Sequence, residues 1–254
     1  MVRFCVLTTQ RSGSTWFVDL LNSQPGACAY SEVFRQAELA RRDAFFETRL
    51  NPPSRFLDYR RQARLVRPFS TWGYLRRLES FRPSARACGF KLMYNQLLAL
   101  PELVPAFCLL GHRILHVVRL NPVDTAVSRA ALISAPQPHS DREPGEPVQL
   151  DLDPAEFLSE IARIERNAAR VRRLLRRLPL RVAEIHYERL CENACAELRR
   201  VLGFLDVAVT GEEVVLDSPF RKMIRGPRRK VIRNYDEIRR ALAGTAFARY
   251  LEED

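Results

Sequence analysis

No run of apolar residues in the sequence approaches the ~18 that a membrane-spanning helix requires. A cationic leader followed by a cleavage site is also missing, since the first residues pass directly into an apolar, strand-like stretch. There is no internal repeat and no paired Cys/His spacing of the kind that holds zinc. The six cysteines (Cys5, Cys28, Cys88, Cys108, Cys191 and Cys195) are scattered, and they read as buried free thiols rather than metal ligands. These absences lead to the expectation of a cytoplasmic chain in a reducing compartment, without a metal. Acidic residues are in deficit: 41 Lys+Arg stand against 30 Asp+Glu, a net charge of +11, and nearly all of the basic excess is arginine. The guanidinium fork suits phosphate, sulfate or carboxylate. Nucleic acid or an anionic membrane surface would attract the same charge, so charge alone does not choose a partner.

What is present points to one sizeable α/β domain over residues 1–254, since the chain is 46% apolar. Strands are predicted at Arg3–Thr9, Ala87–Met93, Arg113–Val118 and Leu180–Ile185, separated by helical stretches. This alternation predicts a mostly parallel sheet with helices on both faces and a ligand site beyond the C-terminal strand ends. Residues 34–86 are arginine-rich, are broken at Pro52-Pro53, Pro68 and Pro83, and read as a helical insertion capping an acceptor site. Residues 135–152 hold four prolines and read as a flexible loop. Asp153-Pro154 opens a long helix to about Leu178, with apolar residues recurring at three and four. Its arginines lack interleaved aromatics for base stacking, so they read as a solvated face.

Three stretches carry chemistry. In "LTTQRSGSTWF" (7–17) a strand enters a tight turn and a helix begins, which is a cradle of backbone N–H groups for an anion. Nucleotide triphosphatases of this design carry G-x-x-x-x-G-K-[ST], but this loop has one glycine, Gly13, no lysine, and Arg11 ahead of the glycine. In "ILHVVRLNPVDTAVSRAAL" (114–132) a buried strand ends at Arg119, Asn121-Pro122 turns the chain, and a helix carries Ser128, so Arg119 and Ser128 can converge on one phosphate. In "AYSEVFRQ" (29–36), Glu32 follows an extended segment expected beside the first strand. It reads either as a base near the anion site or as a helix N-terminal glutamate.

Together and in this order, these stretches resemble the sulfotransferases that use 3′-phosphoadenosine-5′-phosphosulfate (PAPS), closest to the bacterial and carbohydrate-type branch. "RSGSTW" is similar to that branch's 5′-phosphosulfate loop, "VVRLNPVDTAVS" to its 3′-phosphate element and "YSEVF" to its glutamate segment. "CGFKLMYNQ" resembles the central strand, and "IHYERL…LRRVLGFLDV" and "IRNYDEIRRALAGT" the later signatures. The resemblance implies a P-loop-like three-layer fold and PAPS as donor without a metal. It also implies in-line transfer to a hydroxyl, most simply of a carbohydrate or glycolipid. By the same resemblance Glu32 takes the acceptor proton, and Arg11, Ser12, Gly13, Ser14, Thr15 and Trp16 hold the donor's 5′ side. Arg119 and Ser128 hold its 3′-phosphate. On the residues themselves, Lys91 reads either as lining the site or as a strand-end lysine reaching solvent, and Arg225, Arg228, Arg229 and Lys230 read either as a basic flap over the nucleotide or as a solvated charge run. One departure is that Arg119 precedes Ser128 by nine residues rather than eight, with Leu120 in the usual slot. A sulfuryl group carries a single negative charge, so a lysine–Mg²⁺ apparatus is not required. The loop alone would also fit an ATP-dependent kinase, and the charge alone a non-catalytic polyanion or nucleic-acid binder.

Overall fold

The computed structural model describes residues 1–34, 52–63, 66–134, 149–208, 214–216, 218 and 227–252. In chain order the elements are β1 (Val2–Thr8), α1 (Ser14–Asn22), β2 (Ala27–Glu32), α2 (Phe56–Ala63), α3 (Phe69–Ser80), β3 (Ala87–Met93), α4 (Tyr94–Ala99) and α5 (Leu103–Leu110). There follow β4 (Arg113–Val118), α6 (Pro122–Ser134), α7 (Pro154–Leu175), β5 (Val182–His186), α8 (Tyr187–Glu192) and α9 (Ala194–Phe204). The described chain closes with α10 (Arg228–Val231), α11 (Tyr235–Leu242) and α12 (Ala248–Glu252). Arg225 and most of the 135–152 loop lie outside the described residues, as do 35–51 and 64–65 of the expected cap. Two helices, α2 and α3, occupy the cap's described part.

The five strands form one parallel sheet in the order β2-β3-β1-β4-β5. β1 and β3 are apolar almost throughout because both sheet faces are covered. Phe4, Val6, Val117 and Ile185 pack on one face with α1 and α9 residues such as Phe17 and Leu198. Cys5, Leu7, Phe90 and Ile114 pack on the other with Tyr74, Leu78 and Phe107. α6, α7, α11 and α12 share a third apolar cluster built on Val123, Ile161 and Ile238. β3 can lie tight against β1 because Gly89 is a glycine: a Cβ there would stand 2.4 Å from the Phe4 carbonyl oxygen.

Two expectations are corrected. β2 does not run beside β1, since β3 lies between them, and Glu32 ends β2 rather than opening a helix. The last strand begins at Val182 and ends at His186, two residues later at its start and one at its end than the sequence suggested. The long helix ends at Leu175, with the Asp153 carboxylate accepting from Glu156 N–H at 2.8 Å as its N-cap. Leu150, inside the expected flexible loop, is buried and bridges to Ile232. Among the described residues, no helix is long and apolar enough to cross a membrane.

A polar network ties the layers together. Tyr94 on α4 donates to His116 Nε2 (2.6 Å), and His116 Nδ1 meets Glu184 Oε2 (3.2 Å). Arg172 on α7 grips the same carboxylate twice, at 2.8 and 2.9 Å. The bonds from His116, Arg172 and His186 hold Glu184 well below the usual carboxylate range.

His112 is a different case. It is buried against Phe90 and Phe107, its Nδ1 has no hydrogen-bond partner, and burial, with the charge of Arg3, pushes its pKa down to about 3. The unfolded chain therefore takes up this proton first as pH falls below ~6.5, and the native state loses about 1.4 kcal/mol per pH unit from this group, levelling near the folded value. His112→Phe is expected to flatten the fall in stability between pH 6 and pH 5, above the carboxylate range. Urea midpoints of parent and variant at those two pH values check this, and parallel slopes would refute it.

Candidate functional site

The elements place the chemistry-bearing residues at the C-terminal ends of the strands, around the point where the chain switches sides of β1. From β1 the chain goes out to β2 and returns through β3, and β4 then lies on β1's opposite flank. The turn after β1 uses two left-handed residues, Arg11 (φ 64°) and Gly13 (φ 77°). It is fixed from below: the Thr8 hydroxyl donates to Val117 C=O (2.9 Å) and the Ser12 hydroxyl to Thr9 C=O (3.0 Å). Both side chains are fully buried. Ser12 therefore spends its side chain on the turn and has its backbone N–H to offer a ligand. Gly13 is the N-cap of α1 and supplies no side-chain cap, which leaves the helix's first-turn N–H groups to an external acceptor. Gly13 is required for space as well as for φ, because a Cβ there would fall 2.2 Å from the Tyr187 ring.

Beside this turn is a basic cluster with one acid at its centre. Arg11 Nε donates to Ser128 Oγ at 2.9 Å. Burial, and then the charge of Arg119, lowers the Arg11 pKa. Arg119 lies 4.9 Å over the Tyr187 ring and donates to Asp124 Oδ2. Its Nε is buried and without a partner. Arg228 on α10 donates to the other oxygen of Asp124 at 2.9 Å and to Leu251 C=O at 3.2 Å. Asp124 and Ser128 are one turn apart on α6, so one helix face gathers three guanidinium groups.

The other side of α1's first turn holds a second cluster. Lys91 on β3 is buried, and its Nζ lies 3.1 Å from Thr15 Oγ1 and 3.2 Å from Glu32 Oε1. Gln96 on α4 donates to Glu32 Oε2 at 3.3 Å. Lys91 is thus not a strand-end lysine reaching to solvent; it bridges the loop–helix junction to the carboxylate. Trp16 stands edge-on to Tyr187, with ring centroids 6.2 Å apart.

The structure thus brings Arg11, Ser128, Arg119 and Arg228 together, and Glu32, Lys91 and Thr15 together, on the two sides of the α1 N-terminus. Arg229 is placed differently: it is exposed and stacks 5.2 Å over Tyr235. Sequence reasoning assigned no role to Asp124, Tyr187 or Gln96. Asp124 was detectable as the acid four residues before Ser128, on the same helix face.

The sequence model of the sulfotransferase family matches residues 4–211. The chain belongs to the sulfotransferase family. No curated protein matches it. Among solved structures, a sulfotransferase from Alicyclobacillus acidocaldarius is 18% identical, with 99% of this chain and 94% of that one covered, at a TM-score of 0.48. The sulfotransferase domain of the Synechococcus PCC 7002 olefin synthase is 16% identical over 82% of this chain and 74% of its own, at 0.46. Mouse sulfotransferase SULT7A1, solved with PAP, is 16% identical over 99% and 88%, at 0.43. Within this sulfotransferase Arg228 lies beyond the matched segment, and its bond to Asp124 ties it to the cluster.

Proposed function

We propose that this sulfotransferase moves the sulfuryl group of PAPS in line to a hydroxyl of a carbohydrate or glycolipid, without a metal. The observation that carries the reading is the gathering of three arginines and Ser128 on one side of the α1 N-terminus, with Glu32 and Lys91 on the other. In this reading Arg11, expected on the 5′ side but bonded to Ser128, joins Ser128, Arg119 and Arg228 in holding the 3′-phosphate. The charge supports that assignment: three guanidinium groups and one carboxylate leave a balance suited to a dianion. The N–H groups of Ser12 to Thr15 hold the 5′-phosphosulfate, and Trp16 and Tyr187 flank the adenine. Glu32, oriented by Lys91 and Gln96, takes the acceptor proton as the oxygen–sulfur bond forms. Lys91 also faces the bridging oxygen on which charge grows as the sulfur–oxygen bond of the donor breaks. The products are a sulfate ester and adenosine 3′,5′-bisphosphate (PAP). The described helices α2 and α3, within residues 34–86, cap the acceptor side in this reading.

Titration calorimetry tests the donor site. PAP is expected to bind at least about tenfold more tightly than ATP–Mg²⁺, because ATP lacks the 3′-phosphate. Preference for ATP–Mg²⁺, or strongly salt-dependent oligonucleotide binding with no response to PAP, would refute the reading. Turnover of radiolabelled PAPS against a panel of glycans and simple alcohols tests the acceptor class. A third measurement concerns Asp124, which holds two arginines from separate elements. Asp124→Asn is expected to raise the donor KM about tenfold with kcat changed less than about threefold. An unchanged KM would remove Asp124 from this positioning role.

A further inference from the structure

The face of the sheet opposite α1 carries a pair of groups that the sulfotransfer reading does not use. Cys28 on β2 and Cys88 on β3 are register partners on adjacent parallel strands. Both are free and buried, and both side chains belong to the same apolar cluster, so they point to the same face. Partners on neighbouring strands have Cα atoms about 4.8 Å apart, inside the 4.4–6.8 Å span of disulfides. Cys88 Sγ lies 3.8 Å from the carbonyl of Leu78 on the same face. We propose that Cys28 and Cys88 form an intramolecular disulfide on exposure to a peroxide, making this strand pair a redox-modification site.

The surroundings divide the roles. The neighbouring Cys88 thiol lowers the pKa of Cys28, outweighing burial, and the positive charge of Arg82 acts in the same direction. The neighbouring Cys28, together with burial and the charge of Glu79, raises that of Cys88. Cys28 is therefore the more readily ionised, attacking thiol of the pair and Cys88 the resolving one. The Cys28 sulfur attacks one peroxide oxygen; an S–O bond forms, the O–O bond breaks, and Cys28 becomes a sulfenic acid with release of hydroxide. The Cys88 sulfur then attacks the Cys28 sulfur, the S–S bond forms as the S–O bond breaks, and the hydroxyl leaves with the Cys88 proton as water. The two sulfurs give up two electrons, which reduce hydrogen peroxide to water.

The location gives the link a consequence. Cys28 lies four residues before Glu32 and Cys88 three before Lys91, so the bond fastens together the two strands whose ends carry that ion pair. β2 is also the last strand on its side of the sheet, with β3 as its one described strand neighbour. The inference does not depend on the identity of the donor.

The test uses the full-length reduced chain, treated with a small excess of hydrogen peroxide, then denatured, alkylated and mapped by mass spectrometry. The titratable thiols are expected to fall by two from the six in the sequence. A single linked peptide should join Cys28 to Cys88, and dithiothreitol should restore all the thiols. In Cys88→Ser, Cys28 should instead be trapped by dimedone as a sulfenic acid, and in Cys28→Ser, Cys88 should stay reduced. Recovery of both residues in alkylated form while other cysteines have reacted would overturn the proposal. So would a disulfide pairing either of them with a different cysteine.

Discussion

Glu32→Gln is expected to lower turnover by about 10³-fold while leaving PAP affinity within about twofold of the parent. The substitution keeps the size of the side chain and an oxygen for Gln96 to donate to, so the end of β2 keeps its shape. What it removes is the site for the acceptor proton. The contrast between the two readouts matters, because a folding defect would lower both. Stopped turnover with intact PAP binding isolates the proton transfer, whereas near-normal turnover would take Glu32 out of the reaction and leave Lys91 with a structural partner only. A single-turnover measurement with saturating PAPS is the right check, since it excludes slow product release as the source of the loss.

The second large effect is expected from Arg11→Gly, with kcat/KM for PAPS falling by about 10²–10³. Glycine is the informative replacement at this position. Arg11 has φ 64°, a conformation that glycine adopts freely, so the turn is relieved rather than strained by the change. The loss then reports on the guanidinium, which in the free protein is bonded to Ser128 and faces the charge of Arg119. Added guanidinium ion should restore part of the activity, and ammonium should restore less, because only the former offers two parallel N–H groups to a phosphate. Activity within about threefold of the parent would show that Arg119 and Arg228 carry the donor without Arg11.

Much of this arrangement was legible in the sequence, and the reasons differ from residue to residue. β3 and β4 were bounded correctly because both are buried on two faces and read as unbroken apolar runs. Leu180 and Arg181 carry the same apolar and extended character as β5 but precede its pairing with β4, which starts at Val182. The neighbour of β2 was misjudged because a strand's composition records that it pairs, not with which strand. The insertion of β3 depends on Gly89 accepting Phe4 against it, a fit visible only once the strands are side by side. Lys91 was undecided between lining the site and reaching solvent, and its burial between Thr15 and Glu32 follows from β3 lying between β2 and β1. Tyr187 is distant from Gly13 in the chain, and no local spacing announces that its ring closes over that glycine. Arg119 and Ser128 were paired by the sequence on one phosphate, but in the structure Ser128 bonds Arg11, and Arg119 bonds an acid that the sequence reading passed over.

The order in which these contacts are drawn from the chain has a bearing on biosynthesis. The turn after β1 is made before Tyr187, which covers it, and Arg228, which is tied to the carbonyl of Leu251, both of which come much later in the chain. Asn121, at the head of α6, is likewise bonded to the carbonyl of Tyr250. A chain cut after β5 would own every described strand of the sheet and still lack Arg228, one of the two cations bonded to Asp124. In the proposed reading, the grip on the nucleotide is thus completed by helices that follow the last described strand.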